Sequence, residues 1–459
     1  MMKISVSELF FKEKKYTIDV LLGSFLDIEY VIEKEDFNEK SSGRYKITLE
    51  NGNEIIFRDN FFDLFIKNKD YLKVENIPNT VEYTTNQFLV EKDIPIIYGD
   101  KLLEISENKV VCGIDIFASS FFMLTRWEEH VNTIRDNHIR FPAIASLAYK
   151  SDFLIRPVVN EYLEMFWNML VFLGYRGQRK ERQFEFKVSH DVDSIFKYYF
   201  RSPLWAGKIF TYLLIKEKNP VKASHVPFQY IAAKYNPEKY DPYYNYDLIM
   251  DLSEKNNLRS AFYFIADHSE EKMDGDYDVF HPLVQKTMKH IDERGHEVGL
   301  HGSYNSYNSK KQYQKEWLRL LDSCQQSGLK QKIRGSRQHN LRWATPHSFS
   351  VINATGVEYD TTLSYADHVG FRCGTCYEYP VFDILKRKKL QLKERPLILM
   401  ECSLLDGRYM NKNSNEALEI AIELKKKIKR YGGLFSMLWH NARFLDTAEI
   451  DLYKQILIT

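Results

Sequence analysis

From residue 244 onward the chain alternates two patterns of apolar spacing. Short continuous apolar runs read as buried strands: 260–266 (SAFYFIA), 297–301, a short run at Ile333, 357–360 and 434–439. Between them lie segments whose apolar residues recur every three or four positions, which predicts helices over 248–258, 281–294, 312–328, 345–354 and 414–431. The punctuation agrees with this reading. Gly295, Gly328 and Gly432-Gly433 stand at helix ends, Ser414 stands at a helix start, and Thr345-Pro346 supplies a cap and a first-turn proline. Strands alternating with helices predict an α/β fold with a parallel sheet and crossover helices, open or closed into a barrel. In such folds chemistry collects at the carboxyl ends of the strands. A further run, 184–188, ends abruptly in Ser-His-Asp-Val-Asp and reads as the first strand of this region.

The first part of the chain is patterned differently. Strand-like runs at 16–22, 44–49, 53–57 and 94–98 are separated by polar turns, with Asn51-Gly52 as a hairpin signal. Residues 114–133 predict one amphipathic helix with Phe117, Phe121, Met123, Leu124 and Trp127 inward and Arg126, Glu128 and Glu129 outward. A second helix is expected over 157–173. The polar run 176–182 (RGQRKER) reads as a surface linker, which places a boundary near residue 180. Residues 1–180 are thus expected to form a smaller α/β accessory domain with linking helices, and 181–459 a second domain. Within the second, an insertion over about 194–243 is rich in aromatic and basic residues. Helical packing over the mouth of the fold is the expectation there, with a lid, a glycan platform or peripheral membrane contact as alternatives.

Composition narrows the classes. The chain has 459 residues, 44% hydrophobic and 28% charged, which suits two packed domains and argues against wholesale disorder. A net charge of +1 argues against a general nucleic-acid binder. Five cysteines in so long a chain imply no disulfide framework. The first residues carry no apolar leader core, and no apolar run reaches the roughly 20 residues of a membrane span. Cytoplasm is the expected location.

Four stretches carry candidate chemistry: SHDVD at 189–193, GHEVGLHGSYN at 295–305, IRGSRQH at 333–339 and LWHN at 438–441. In an extended chain Asp191 and Asp193 share a side. Two carboxylates so placed repel unless a cation or an Arg lies beside them. His301, Asp360 and His440 each end another predicted strand. A Cys-x-x-Cys in GFRCGTC (370–376) lacks the partners of a zinc site and reads as a packed loop.

In their order and strand-end placement, these stretches resemble the polysaccharide deacetylases of carbohydrate esterase family 4, the NodB-homology group, over about 184–459. The first half resembles the uncharacterised domain that precedes some divergent members. The resemblance implies a deformed (β/α) barrel that uses a divalent metal, zinc foremost with cobalt or nickel as alternatives, to hydrolyse N-acetyl or O-acetyl groups of a glycan or glycoconjugate. It implies Asp191 as base, Asp193 and His301 as metal ligands, and His440 as general acid. The family's second metal histidine falls on Asn305, a poorer donor whose carbonyl oxygen is left to fill the place. Of Arg334 and Arg337, Arg337 is the expected partner of Asp191, and Asp360 is expected to hold the His440 imidazole. Arg372 and Trp439 are candidate substrate contacts. Two alternatives stay open: a silent glycan-binding barrel that has lost its metal, and a C–N hydrolase acting on a small amide.

Overall fold

The computed structural model describes residues 1–36, 43–65 and 70–458 of a mixed α/β protein. The chain divides into two compact units. One gathers Met1–Glu185, Leu341–Leu399 and Glu423–Phe435; the other gathers Phe186–Asn340, Met400–Ile422 and Ser436–Thr459.

The first unit contains a six-stranded sheet in the order Tyr30–Glu35, Met2–Ser7, Arg44–Thr48, Glu54–Arg58, Lys109–Ile114, Gly99–Ile105. Its hairpin Arg44–Thr48/Glu54–Arg58 alternates as a half-buried sheet must. Tyr45 opposes Phe57 and Ile47 opposes Ile55, all four buried on one face. Helices Ile116–Thr125 and Val158–Phe172 cover that face, with the Phe117 and Phe166 rings 5.7 and 5.3 Å from Phe57.

Two elements of this unit differ from the sequence expectation. Residues 16–22 are helical, in Phe11–Ile18 and the wider turn Asp19–Leu26. Ile18, Val20, Leu21 and Leu22 are all buried, and an apolar run enclosed on every side has no period to separate strand from helix. The single helix expected over 114–133 is two, Ile116–Thr125 and Trp127–Val131, broken at Arg126 with φ 54°. The break turns the supposed polar face inward. Arg126, Glu128 and Glu129 are buried, with Arg126 paired to both carboxylates at 3.1 and 2.9 Å. Burial opposes ionisation of Glu129, but Arg372 and Arg126 hold its carboxyl down at about 2.

The second unit carries the strand ends that matter. Its strands lie in the order Gly335–Gln338, Glu297–Gly302, Ser260–Ile265, Glu185–Val192, Leu434–Leu438. Ser260–Ile265 is buried along its whole length and pairs in parallel with both neighbours, as a central strand covered on two faces should. Register sets the site: His301 lies opposite Ile265 and Arg337. The strand expected at Ile333 begins two residues later. Helices Tyr246–Lys255, Pro282–Glu293 and Lys310–Ser327 bury Ile249, Met250, Val284, Met288, Ile291 and Leu320. Ser309 caps the last of these helices through the Gln312 N–H, and Gly328 ends it in the left-handed conformation.

That helix also braces the loop after His301. Glu316 is fully buried and accepts from the Ser303 N–H, the Ser303 hydroxyl and Gln312. Burial outweighs those bonds and pushes its carboxyl up to about 7 from 4.5. The folded state therefore binds this proton more tightly than the unfolded chain. Its stabilising effect is complete below the unfolded value and is lost as pH rises through the folded one. Stability should fall by about 3 kcal/mol at most between pH 4.5 and 7 on this account. Thermal melts across that range should lose this part of their slope in Glu316→Gln; an unchanged slope would show that Glu316 stays ionised.

Candidate metal and acid–base site

The carboxyl ends of three strands of one sheet, Glu185–Val192, Glu297–Gly302 and Gly335–Gln338, bring Asp193, His301 and His339 together, with ligand atoms all within 4.8 Å of one another. His301 Nε2 lies 3.2 Å and His339 Nε2 3.6 Å from Asp193 Oδ1. Each imidazole is held from behind. His301 Nδ1 meets the Arg337 carbonyl at 3.0 Å, and His339 Nδ1 meets Asp274 Oδ1 at 3.1 Å. Fixing Nδ1 on an outer acceptor aims Nε2 inward, the arrangement that orients histidine metal ligands. Asp274 is fixed in turn: burial would raise its carboxyl, but His339 and the N–H groups of Tyr304, Glu270 and Ser269 hold it at about 2. Asp193 is opposed by burial and lies well below the ordinary carboxylate range because His339, His301 and His440 face it. Asp193 Oδ1 and His301 Nε2 are buried and make no hydrogen bond among the described residues. Two nitrogens and a carboxylate oxygen converging on one point, two of the three atoms unsatisfied, fit a divalent cation such as zinc.

Asp191 shares its side of the strand with Asp193 and is nearly fully buried. Arg337 Nη1 donates to Asp191 Oδ1 at 3.0 Å and to the Ser189 hydroxyl at 2.8 Å. Asp191 Oδ2 is then turned toward His301, 3.6 Å from Nε2. The strand end is braced from below by Tyr277, whose hydroxyl donates to the Val192 carbonyl at 2.6 Å and accepts from the Ile265 N–H at 2.7 Å. Gly275 packs so closely that a Cβ there would meet the Asp193 carbonyl at 2.2 Å.

His440 closes the other side. Its Nε2 lies 3.8 Å from Asp193 Oδ2. Its Nδ1 forms a short contact with Glu401, which also accepts the His440 N–H at 3.1 Å. Glu401 opens the short helix Glu401–Leu405 and is fully buried. Burial would lower the imidazole's affinity for protons, but Glu401 and then Cys402 raise it well above its usual value. The Cys402 thiol sits 3.9 Å from Nδ1.

Comparison with known proteins places this geometry among distant likenesses. Residues 2–174 match the model of a family of unknown function, DUF7033. No curated protein matches the chain. Among solved structures, a polysaccharide deacetylase candidate from Mycobacterium smegmatis is similar at 14% identity and a TM-score of 0.39, over 62% of this chain and 85% of that one. Another, from Pseudomonas aeruginosa PAO1, is similar at 12% identity and a TM-score of 0.37, over 60% and 83%. The Puue allantoinase is similar at 10% identity and a TM-score of 0.36, over 60% and 83%. Likenesses at these scores fix no residue's role, so the assignments rest on the site itself.

Of the sequence candidates, Asp191, Asp193, His301, Arg337 and His440 converge. The others sit elsewhere or do other things. Asn305 follows the His301 loop, where its backbone N–H and side-chain amide donate to Ser269 at 2.8 and 3.3 Å. The third converging donor is His339. Asp360 belongs to the first unit, where it ends Tyr359–Asp360 and accepts the Thr362 N–H at 2.9 Å. The carboxylate on His440 is Glu401. Arg372 is buried in the first unit and grips Glu129 at 2.6 Å, so it is no surface contact for a substrate. Trp439 is fully buried with its ring 5.4 Å from Tyr453 and cannot touch one either. His190 faces away, bonded to the Trp439 carbonyl and Ser260, and burial pushes it down to about 3. His296 meets the Ser260 N–H and Glu254. Cys373 and Cys376 are free thiols buried in the first unit.

His339 and Glu401 are the residues the sequence reading missed. His339 stands two positions after Arg337 and so shares its side, which the same alternation applied to the Asp pair would have found. If His339 rather than Asn305 completes the ligand set, His339→Ala should lower zinc or cobalt uptake roughly tenfold or more. Asn305→Ala should leave it nearly intact. Elemental analysis after dialysis against each metal distinguishes the two; the reverse ranking would return the ligand role to Asn305.

Proposed function

We propose that the chain is a metal-dependent hydrolase that removes acetyl groups from a glycan or glycoconjugate, its second unit a deformed (β/α) barrel of NodB-homology type. The observation that carries this reading is the convergence of an Asp-His-His donor set with a base candidate on one side and the Glu401-paired His440 imidazole on the other. The order of the sequence stretches supports the acyl-sugar class over other amides.

Asp193, His301 and His339 would hold the ion. When bound, the metal supplies a Lewis acid that polarises a carbonyl and makes water more acidic. Asp191, oriented through Oδ1 by Arg337, presents Oδ2 to take a proton from the attacking water. His440 enters charged, because Glu401 holds Nδ1 and leaves the Nε2 proton facing the rim. That proton passes to the leaving nitrogen as the acyl C–N bond breaks, since an amine leaves poorly without one.

Asp191→Asn and His440→Ala should each lower turnover of a chito-oligomer about 10²- to 10⁴-fold with the fold intact by circular dichroism. Retention of full rate by either would remove that residue from the mechanism. Because the acid must be protonated, the rate should fall as pH climbs through the raised His440 value. Glu401→Gln should move that alkaline limb to lower pH, because it removes the first cause of the raised His440 value. A panel of small amides turned over faster than chito-oligomers would replace the glycan with a small substrate.

A further inference from the structure

The loop after Asp193 departs from the body of the second unit as a helical hairpin, Pro203–Ile215 and Pro220–Tyr235. Its two helices pack on each other through Ala206, Ala223, Val226 and Ala233, joined by Tyr198 and the partly buried Trp205, Phe210 and Tyr230. That accounts for the inner face. The outer face is apolar as well. On the second helix Val221, Phe228, Ile231 and Tyr235 recur at spacings of seven, three and four, a single stripe, and all are exposed, Phe228 by 76% and Tyr235 by 87%. Leu204 and Ile215 extend it on the first helix, exposed by 81% and 64%. A run of large apolar side chains turned to water marks an interaction surface.

Charge says which kind. Residues 203–235 hold five lysines and one glutamate, in a chain whose net charge is +1, so the remainder is net negative. Lys208, Lys216, Lys218 and Lys222 are exposed, three of them around the turn between the helices and beside Ile215 and Val221. Apolar side chains bordered by lysines are the chemistry of a helix lying in the headgroup region of an anionic bilayer. No described helix is long and apolar enough to cross one. We propose that this hairpin is a membrane-surface anchor that binds an anionic lipid bilayer, its outer stripe among the acyl chains and its lysines on lipid phosphates.

The base of the hairpin is rigidly joined to the site loops. Asp241 accepts from the N–H groups of Lys197, Tyr198 and Tyr199 at 2.6, 2.8 and 3.2 Å. Arg201 pairs with Asp276 at 2.7 Å. Asn441, next to His440, donates to the Ser194 and Tyr243 carbonyls and accepts from Asn245 at 2.8 Å. The segment that carries the anchor therefore begins one residue after Asp193 and ends on the neighbour of His440, so docking tethers the rim of the site to the lipid surface.

The test is flotation of the full chain with vesicles of phosphatidylcholine, with and without phosphatidylglycerol. The chain should float with the anionic vesicles, little with the neutral ones, and less as salt is raised. Phe228→Glu with Ile231→Glu should weaken this binding about tenfold or more. Lys216→Glu, Lys218→Glu and Lys222→Glu together should do the same through charge. Both sets lie on exposed positions, so melting temperatures should match the parent. Absence of flotation with anionic vesicles, or undiminished flotation of the Phe228/Ile231 variant, would overturn the proposal. A dimer in analytical ultracentrifugation that the same variant dissociates would also overturn it, assigning the stripe to a second copy of the chain. None of these readouts depends on hydrolysis, so the anchor and the proposed activity stand or fall separately.

Discussion

The Asp193 carboxylate, faced by three imidazoles, is the interaction on which the rest of the site depends. Its side chain is 41% exposed, but Oδ1 is buried, and a buried carboxylate oxygen is costly unless positive charge or donors face it. Here His301, His339 and His440 do so from three separate strand ends. They are also what holds the Asp193 carboxyl below the ordinary carboxylate range. The outer partners fix this arrangement. Arg337 serves twice, through its carbonyl on His301 and its guanidinium on Asp191. Asp274 serves His339, and Glu401 serves His440. Each imidazole thus has one nitrogen committed outward and one turned inward toward Asp193.

How much of this could be read from the chain depends on how local the signal was. The Asp191/Asp193 pair, His301 and Arg337 were legible because strand alternation acts over two residues and strand ends are marked by abrupt changes in polarity. The alternating helices and strands of 244–340 were legible for the same reason, their caps and glycines lying within a few residues of the ends they fix. Glu401 was not, although it too follows an apolar run, because nothing in its own neighbourhood points to His440 thirty-nine positions away. The segment 16–22 failed for the opposite reason: burial on all sides erases the period. A unit assembled from three separate stretches of chain, as both units here are, leaves no single boundary for composition to mark.

The buried Arg126–Glu129–Arg372 network shows how polar residues mislead when sequence is all there is. Two charged positions following Trp127 read as the solvent face of a helix. A single left-handed residue at Arg126 rotates everything after it, and the charges become a closed set inside the first unit. Such a set adds little net stability, since desolvation offsets the attraction. It does make the broken helix the preferred state, because straightening it would leave Arg372 buried with no carboxylate. Arg372 thereby changes from a candidate substrate contact to a fixed internal strut.

Register also explains why His339, and not Asn305, joins the cluster with Asp193 and His301. A nitrogen can join these strand ends only from a position whose register already points at Asp193 and His301. Arg337 lies directly opposite His301, so the next residue on the same side, His339, projects beyond the strand end beside it. Asp274 then supplies the acceptor for His339 Nδ1, and also receives the Tyr304 N–H next to Asn305. Asn305 in this arrangement ties the two loops through Ser269. The link from residue 305 to Asp274 thus runs from its backbone N–H through the Ser269 hydroxyl, and does not need the Asn305 side chain.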